Sequence, residues 1–478
     1  MAFDFQYSVR RAVAGLGAAV LAAVLATLAL TALLYAMQWL PRAGILAHIR
    51  SSFTNGALQE QDWLVHNDRL GLNQYSDCML IQMFFFRREA WADTVAPIVV
   101  FNDWPVPLWA DDGEQLSECA IARTAAFSEA PFALYPAQSY FPYGRYMHAY
   151  RLPAYLLLEQ FDVGAIRRLY RMMAFGMLVV ILVTQLLVML WRAERAEDRS
   201  RAGPHVLQGS FFVILSLIFI HFYALELYAL SLVQAPSDIL IFGAIAVIAL
   251  RPITSTAHRM LCGLCGLFGA LIFAFESLYG ALPLGLAALI GCSAMKADRH
   301  SSAGQIATAV CLAGVSFVVG AGVALLVKLV TLAVTFGPQE LTGFFSQLNY
   351  RMTGGGFSLS DLWRSLGESM DVIFFEDYRA SRAFLFGTGL YLIVAYGIAL
   401  AHTTRAAAVQ AHGLLLSVLV IGLWYLVFRN HSVIHAGAMV RLLVWPLIAT
   451  AGMVTVALAG VAQGASRGVA FEERVHLE

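Results

Sequence analysis

The sequence predicts an all-α membrane protein, a polytopic bundle of about ten transmembrane helices with a long first loop that contains amphipathic helices. Of its 478 residues, 59% are hydrophobic and 13% are charged, whereas a soluble globular chain is about 45–50% apolar and about 25% charged. The mean hydropathy is +0.69. This composition excludes a soluble enzyme and a disordered chain. The 31 basic and 31 acidic residues cancel, so the net charge does not favour nucleic acid as a partner.

Apolar runs mark the predicted transmembrane helices, each of which needs roughly 20 mainly apolar residues. The first run, Val13–Met37, is too long for a cleaved signal and predicts a retained helix. The run 239–250 is short for a full crossing. The other runs cover residues 169–190, 210–233, 260–275, 281–295, 306–336, 384–401, 414–428 and 438–459.

These runs predict the domain organisation. A cytoplasmic N-terminus and first transmembrane helix (1–37) are followed by a long loop (38–168), a block of transmembrane helices (169–336) and a second loop (337–383). C-terminal transmembrane helices (384–460) and a tail (461–478) complete the chain. The stretch Leu152–Arg171 predicts one amphipathic helix lying on the membrane before the second span.

Arginines in the short loops predict the orientation. Arg10 and Arg11 precede the first span, and further basic residues fall on the same side if the spans alternate. That side is predicted to be cytoplasmic, which leaves both termini inside and loops 38–168 and 337–383 in the periplasm. Only Lys296 and Lys328 of the 31 basic residues are lysines, a bias typical of a GC-rich bacterial genome. We therefore expect the bacterial inner membrane, with a periplasmic active face.

Two of the six cysteines, Cys78 and Cys119, lie outside the predicted spans, both in the first loop. An oxidising periplasm would allow a disulfide between them, and two free thiols are the alternative. Cys262 and Cys265 form a C-x-x-C in an apolar run without a partner pair, which favours packing over a metal or redox role. No strong metal site is predicted.

Acidic residues near the outer membrane border are candidate proton acceptors. Asp77 opens an apolar run after Gln74, Tyr75 and Ser76, where it could either cap a helix or hold a carboxylate beside the bilayer. Glu276 lies near the outer end of the fifth span, and an acid at membrane depth is unfavourable without a purpose. Asp62 and Asp377 in the two loops are further candidates.

Two basic clusters lie at the same border. Arg145, Tyr146 and His148 precede the second span and suit a phosphate in the headgroup layer, with an aromatic belt and snorkelling arginines as the alternative. His431 and His435 precede the last span, with Arg441 six residues on. A metal pair is conceivable there, but a third ligand is not evident and Arg441 favours an anion.

The arrangement resembles the GT-C glycosyltransferases, polytopic enzymes that take sugars from polyprenyl-phosphate carriers. Similarity lies in the single first span, the long first loop with an acid opening a helix, and the basic outer face. Tyr75-Ser76-Asp77, the segment from Arg145 to Tyr150, and Asn430-His431-Ser432 with His435 and Arg441 resemble bacterial GT-C-like proteins, most closely the arabinofuranosyltransferase type that modifies pilins.

This resemblance implies an inverting transfer of a sugar, arabinofuranose among the candidates, from a polyprenyl-phosphate donor to a periplasmic protein or glycan. Asp77 would be the general base, and Asp62, Glu276 and Asp377 would be secondary acids or acceptor ligands. The donors for the lipid phosphate would be Arg145, Tyr146, His148, His431, His435 and Arg441.

No cofactor or metal is required by such a reaction, since the lipid-linked sugar is a substrate, and the other partners are membrane lipids. Two other classes stay open. One is a secondary transporter or flippase for a lipid-linked or small substrate. The other is a membrane acyltransferase or phosphotransferase.

Overall fold

The computed structural model is mostly helical, with 84% helix and 2% strand. Apart from isolated positions, it describes residues 2–61, 63–66, 70–86, 89–101, 115–195, 199–222, 230–250, 258–276, 280–296, 302–354, 378–402 and 404–475.

Six of the described helices are long and apolar enough to cross a membrane, and the chain is therefore a multi-pass membrane protein. They are α1 (Ala2–Ala36), α7 (Val163–Arg195), α12 (Ala303–Phe336), α14 (Tyr378–His402), α15 (Arg405–Val427) and α17 (Ala436–Val475). Shorter apolar stretches lie in α8 (Arg199–Phe222), α9 (Ala235–Leu250), α10 (His258–Phe275) and α11 (Ala281–Lys296). Each coincides with a predicted apolar run, but the count of about ten spans stays a prediction.

Helices α1, α10 and α12 cross at small residues. A Cβ added to Gly320 of α12 would overlap the carbonyl oxygen of Gly266 on α10, and one added to Gly269 would overlap the carbonyl oxygen of Phe317. A Cβ on Gly266 would also lie 2.7 Å from the Cα of Ala19 on α1. Small residues allow helix backbones to approach closely where lipid offers no hydrophobic driving force. The three helices therefore form a tightly packed block.

The first loop segment (38–168) folds as a small α/β unit on the bundle. It contains two antiparallel two-stranded sheets, in which Trp63 pairs with Asn73 and Ile98 pairs with Pro142, in addition to the helices that were predicted. Its elements are α2 (Arg42–Thr54), β1 (Trp63–His66), β2 (Leu70–Asn73), α3 (Tyr75–Phe85), α4 (Ala90–Val95), β3 (Ile98–Val100), α5 (Glu118–Phe127), β4 (Tyr140–Pro142) and α6 (Arg151–Leu158).

The predicted single amphipathic helix over Leu152–Arg171 is wrong. Helix α6 ends at Leu158 and α7 begins at Val163. The side chain of Asp162 accepts a hydrogen bond of 2.7 Å from the backbone N of Ala165, which caps the new helix. Residues after Asp162 are therefore the first turns of a membrane-spanning helix.

Helix α13 (Gln339–Thr353) lies in the second loop segment and is flanked by glycines in the left-handed region. Gly337 has φ +97° and Gly354 has φ +55°, conformations that glycine adopts without steric penalty. At the far end of α13, the Asn430 side chain donates a hydrogen bond of 2.8 Å to the Tyr350 carbonyl. This bond joins α13 to the short helix α16 (Arg429–Ile434).

Cys78 and Cys119 form a disulfide, which confirms that pairing. The bond joins α3 to α5 across a Cα–Cα distance of 5.0 Å and a sequence separation of 41 residues. Both side chains are fully buried. Cys262, Cys265, Cys292 and Cys311 are free.

We expect Cys119→Ser to lower the free energy of unfolding of the first loop segment by about 4 kcal/mol, because closing this loop restricts the unfolded chain. Thermal unfolding of the purified protein would show a lower midpoint. Cys311→Ser, at an exposed free thiol, is the control and should unfold as the parent does. Alkylation of Cys78 in unreduced, denatured protein would contradict the bond.

Candidate functional site

The segment from Tyr143 to Tyr150 is held by an internal hydrogen-bonded bend at His148, which has φ +55°. Its Nε2 lies 2.7 Å from the Tyr143 carbonyl oxygen and its Nδ1 lies 2.7 Å from the Tyr150 hydroxyl. Because a carbonyl only accepts, Nε2 donates and Nδ1 accepts. Burial lowers the pKa of the His148 imidazole well below its usual value. Neutral His148 therefore shapes the segment, and its predicted contact with a phosphate stays a prediction.

Two buried basic side chains bind the end of α4 beside this segment. Arg151 donates to the carbonyls of Asp93 at 3.0 Å and Thr94 at 3.1 Å. Lys328 on α12 donates to the next carbonyl, that of Val95. The last carbonyls of α4 thus accept hydrogen bonds from basic side chains, which a helix C-terminus favours. These contacts join α6 and α12 to the end of α4.

Arg145 and Tyr146 of this segment line a cavity of about 250 Å³, which is called here the apolar cavity. Its polar lining comes from Arg145, Tyr146, Gln347 and Arg351. The apolar lining includes Phe273, Leu278, Leu325, Leu348, Trp424 and Phe428. An apolar cavity that is also lined by two arginines can accept an amphiphile with an anionic head group.

Arg351 is a residue that sequence analysis missed. Its Nη1 donates a hydrogen bond of 3.0 Å to the Nε2 of His435, and the rings of His431 and His435 lie 4.5 Å apart. Burial and the Arg351 charge lower the pKa of His435 to about 4, so at neutral pH the ring is uncharged and can accept this bond. His435 therefore positions Arg351, and His431 packs against the His435 ring. The available signal was the spacing of Phe344, Leu348 and Arg351 on one face of α13.

Arg441 is fully buried and bound by two acids. Its Nη1 contacts Asp238 at 2.9 Å and its Nη2 contacts Glu276. Glu276 also accepts hydrogen bonds from the Ser237 hydroxyl at 2.7 Å and the Ala281 backbone N at 3.2 Å. The predicted binding of a phosphate by Arg441 stays a prediction, and these contacts favour a role in positioning Glu276.

Glu276 borders a second, smaller cavity. This small cavity has a volume of about 30 Å³, enough for a water molecule. Its lining includes Ser76 and Glu276, and it shares Tyr146, Phe273 and Leu278 with the apolar cavity. Glu276 and Tyr146 therefore line the same small cavity, which adjoins the apolar cavity.

Asp77 is in a different environment. Its Oδ2 lies 2.8 Å from Arg167 Nη2, and its Oδ1 accepts bonds from the Ser231 hydroxyl at 3.0 Å and the Leu232 backbone N at 2.8 Å. Burial raises the pKa of the Asp77 carboxyl, and the Arg167 charge opposes that rise. Asp77 is fully buried and lines neither of these two cavities. This carboxylate connects α3 to α7 and to the residues before α9, and its role as a base stays a prediction.

Two of the predicted acids, Asp62 and Asp377, lie outside the described residues. Within the described part of the chain, there is no group of three or more His, Cys, Asp or Glu side chains that could hold a metal ion. Comparison with family models, curated proteins and solved structures finds no match. The contacts above are therefore the basis for assigning a function.

Proposed function

We propose that this chain is a membrane glycosyltransferase of the GT-C type that uses a polyprenyl-phosphate-linked sugar. The supporting observation is the apolar cavity, in which Arg145 and Arg351 accompany Tyr146 and several aromatic and aliphatic side chains. A polyprenyl chain requires apolar walls, and its phosphate requires charged donors. The proposed sugar donor carries the polyprenyl chain and the phosphate in one molecule.

The reaction would be a single displacement. The acceptor hydroxyl oxygen forms a bond to the anomeric carbon as the bond from that carbon to the phosphate oxygen breaks. The bonding electron pair stays on the phosphate, where Arg145 and Arg351 offset the growing negative charge. The hydroxyl proton passes to a carboxylate, and attack from the opposite side inverts the anomeric configuration.

Glu276 is the carboxylate whose position best supports the role of base. It borders the small cavity and is separated from the apolar cavity by side chains that line both. Arg441 donates a hydrogen bond to Glu276 and positions its side chain. Asp77, the other candidate, is fully buried and lines neither the small cavity nor the apolar cavity.

In the proposed setting, the donor binds at the periplasmic face of a bacterial inner membrane and the acceptor is a periplasmic protein or glycan. The arginine-rich short loops support this orientation. Arabinofuranose is the first sugar to test.

A transporter is the second candidate, favoured by one observation. Arg441, Asp238 and Glu276 form a buried charged cluster between helix ends, and intramembrane charges often mark ion or substrate pathways. Release of polyprenyl phosphate from polyprenyl-phosphate arabinofuranose separates the two, since transport leaves the bond between sugar and phosphate intact.

We expect Arg351→Ala and Arg145→Ala each to raise the dissociation constant for undecaprenyl phosphate about 10- to 100-fold, because a hydrogen bond to a charged group contributes about 1.5–3 kcal/mol. Binding can be measured by titration of the purified protein in nanodiscs. Arg123→Ala removes an exposed arginine paired with Glu60 and should bind normally. Unchanged affinity in both cavity variants would place the phosphate elsewhere.

A further inference from the structure

A third cavity, of about 360 Å³, is lined by Arg145, which also lines the apolar cavity. We call it the aromatic cavity, because Tyr75, Phe101 and Phe141 line it. These rings come from the start of α3, the residue after β3 and the middle of β4, so three parts of the first loop segment contribute to the cavity. The rings of Phe101 and Phe141 lie 5.9 Å apart.

The aromatic cavity is also lined by polar side chains, two of them from α13. Glu340 and Gln347 line the cavity from this helix, and Arg145 lines it from the segment before α6. The guanidinium of Arg145 lies 6.0 Å from the centre of the Phe141 ring, within range of a cation–π contact. The lining therefore combines one acid, one base and one amide with aromatic rings.

This cavity adjoins the apolar cavity, with which it shares Arg145, Phe344 and Gln347. It also approaches the small cavity, because Tyr75 lines the aromatic cavity and Ser76 lines the small one. A ligand in the aromatic cavity would thus lie beside the proposed phosphate site and near the carboxylate of Glu276.

From these three observations we infer that the aromatic cavity is an acceptor site for a neutral sugar unit. A sugar ring has apolar C–H faces that pack on aromatic rings and a rim of hydroxyls that bond to carboxylate, amide and guanidinium groups. Balanced lining charges do not favour a polyanion. The volume is at the small end of the range of about 300–1,000 Å³ for ligand pockets. The inference rests on the proposed function and specifies its acceptor as a glycan.

The test uses two probes that report on different cavities. Saturation-transfer NMR on the full chain, in nanodiscs free of glycolipid, measures binding of a panel of methyl pyranosides and methyl furanosides. Titration with undecaprenyl phosphate measures the apolar cavity. We expect at least one glycoside to bind, and both Phe141→Leu and Glu340→Gln to lower its affinity about five- to tenfold. Glu340→Gln should leave the affinity for undecaprenyl phosphate unchanged.

The two variants lie on separate elements, β4 and α13, so a fault in folding of one element cannot explain both results. Phe127→Leu changes a ring that is 51% exposed at the end of α5 and serves as the control. The inference would be overturned if no glycoside bound the parent protein. It would also be overturned if both cavity variants bound the glycoside with the affinity of the parent. So would a serine-rich peptide that binds in place of the glycosides and loses affinity in Phe141→Leu. Failure of undecaprenyl phosphate to bind the parent would instead count against the proposed function.

Discussion

Glu276→Gln is expected to lower the turnover number for sugar transfer by about 10²–10⁴-fold, which is the usual contribution of a general base. Glutamine preserves the size of the side chain and an oxygen that can accept the Ala281 bond, but it cannot take a proton. Affinity for undecaprenyl phosphate should stay close to that of the parent. Release of the lipid phosphate from polyprenyl-phosphate arabinofuranose at saturating donor measures the effect.

Asp238→Asn is the matched control for this experiment. Asp238 also pairs with Arg441, so its variant loses an equivalent ion pair, but Asp238 does not line the small cavity. If loss of the ion pair were the whole effect, the two variants would show equal turnover. We expect Asp238→Asn to be far more active, and equal rates would exclude Glu276 as the base.

Asp77→Asn is expected to lower the free energy of unfolding by about 3–5 kcal/mol, because it leaves Arg167 buried without its charged partner. The side chains of Asp77 and Arg167 are 0% and 7% exposed. Differential scanning fluorimetry of the purified protein should show a lower unfolding midpoint. In the double variant Asp77→Asn/Arg167→Gln, part of the loss should be recovered, since no unpaired charge is left.

Glu60→Gln provides the comparison, because Glu60 and Arg123 form an ion pair in the same loop segment with side chains more than half exposed. An exposed pair contributes about 0–1 kcal/mol, so this variant should unfold close to the parent. An Asp77→Asn protein with parental stability and little turnover would reverse our assignment and make Asp77 the base.

The membrane helices were predictable because hydrophobicity is a local property of the chain. The run 281–295 became α11, and Val13–Met37 falls almost entirely within α1. Helix α15 begins at Arg405, nine residues before its apolar run, because the Thr404 side chain accepts a bond from the Ala407 backbone N and caps the helix. Polar caps extend helices beyond the hydrophobic signal.

The site was less predictable because its contacts join distant parts of the sequence. The Arg145 and Tyr146 cluster does line a cavity, as its residue types favoured. The pairing of Arg441 with Asp238, 203 residues away, depends on how α9 and α17 pack. Arg351 is one of several loop arginines in the sequence, and only its bond to His435 and its place in the apolar cavity distinguish it.

The glycine crossing of α10 and α12 bears on how quickly a lipid substrate can reach the proposed site. Phe273 and Leu325 line the apolar cavity within two helical turns of that crossing. Because the backbones of α10 and α12 are in direct contact, these two helices have little room to move relative to each other. Helix α13 covers the same cavity, has no fully buried residue and lies between Gly337 and Gly354. If the lipid substrate enters through the apolar cavity, we expect α13 to move more than α10 and α12, since those two helices are in direct backbone contact.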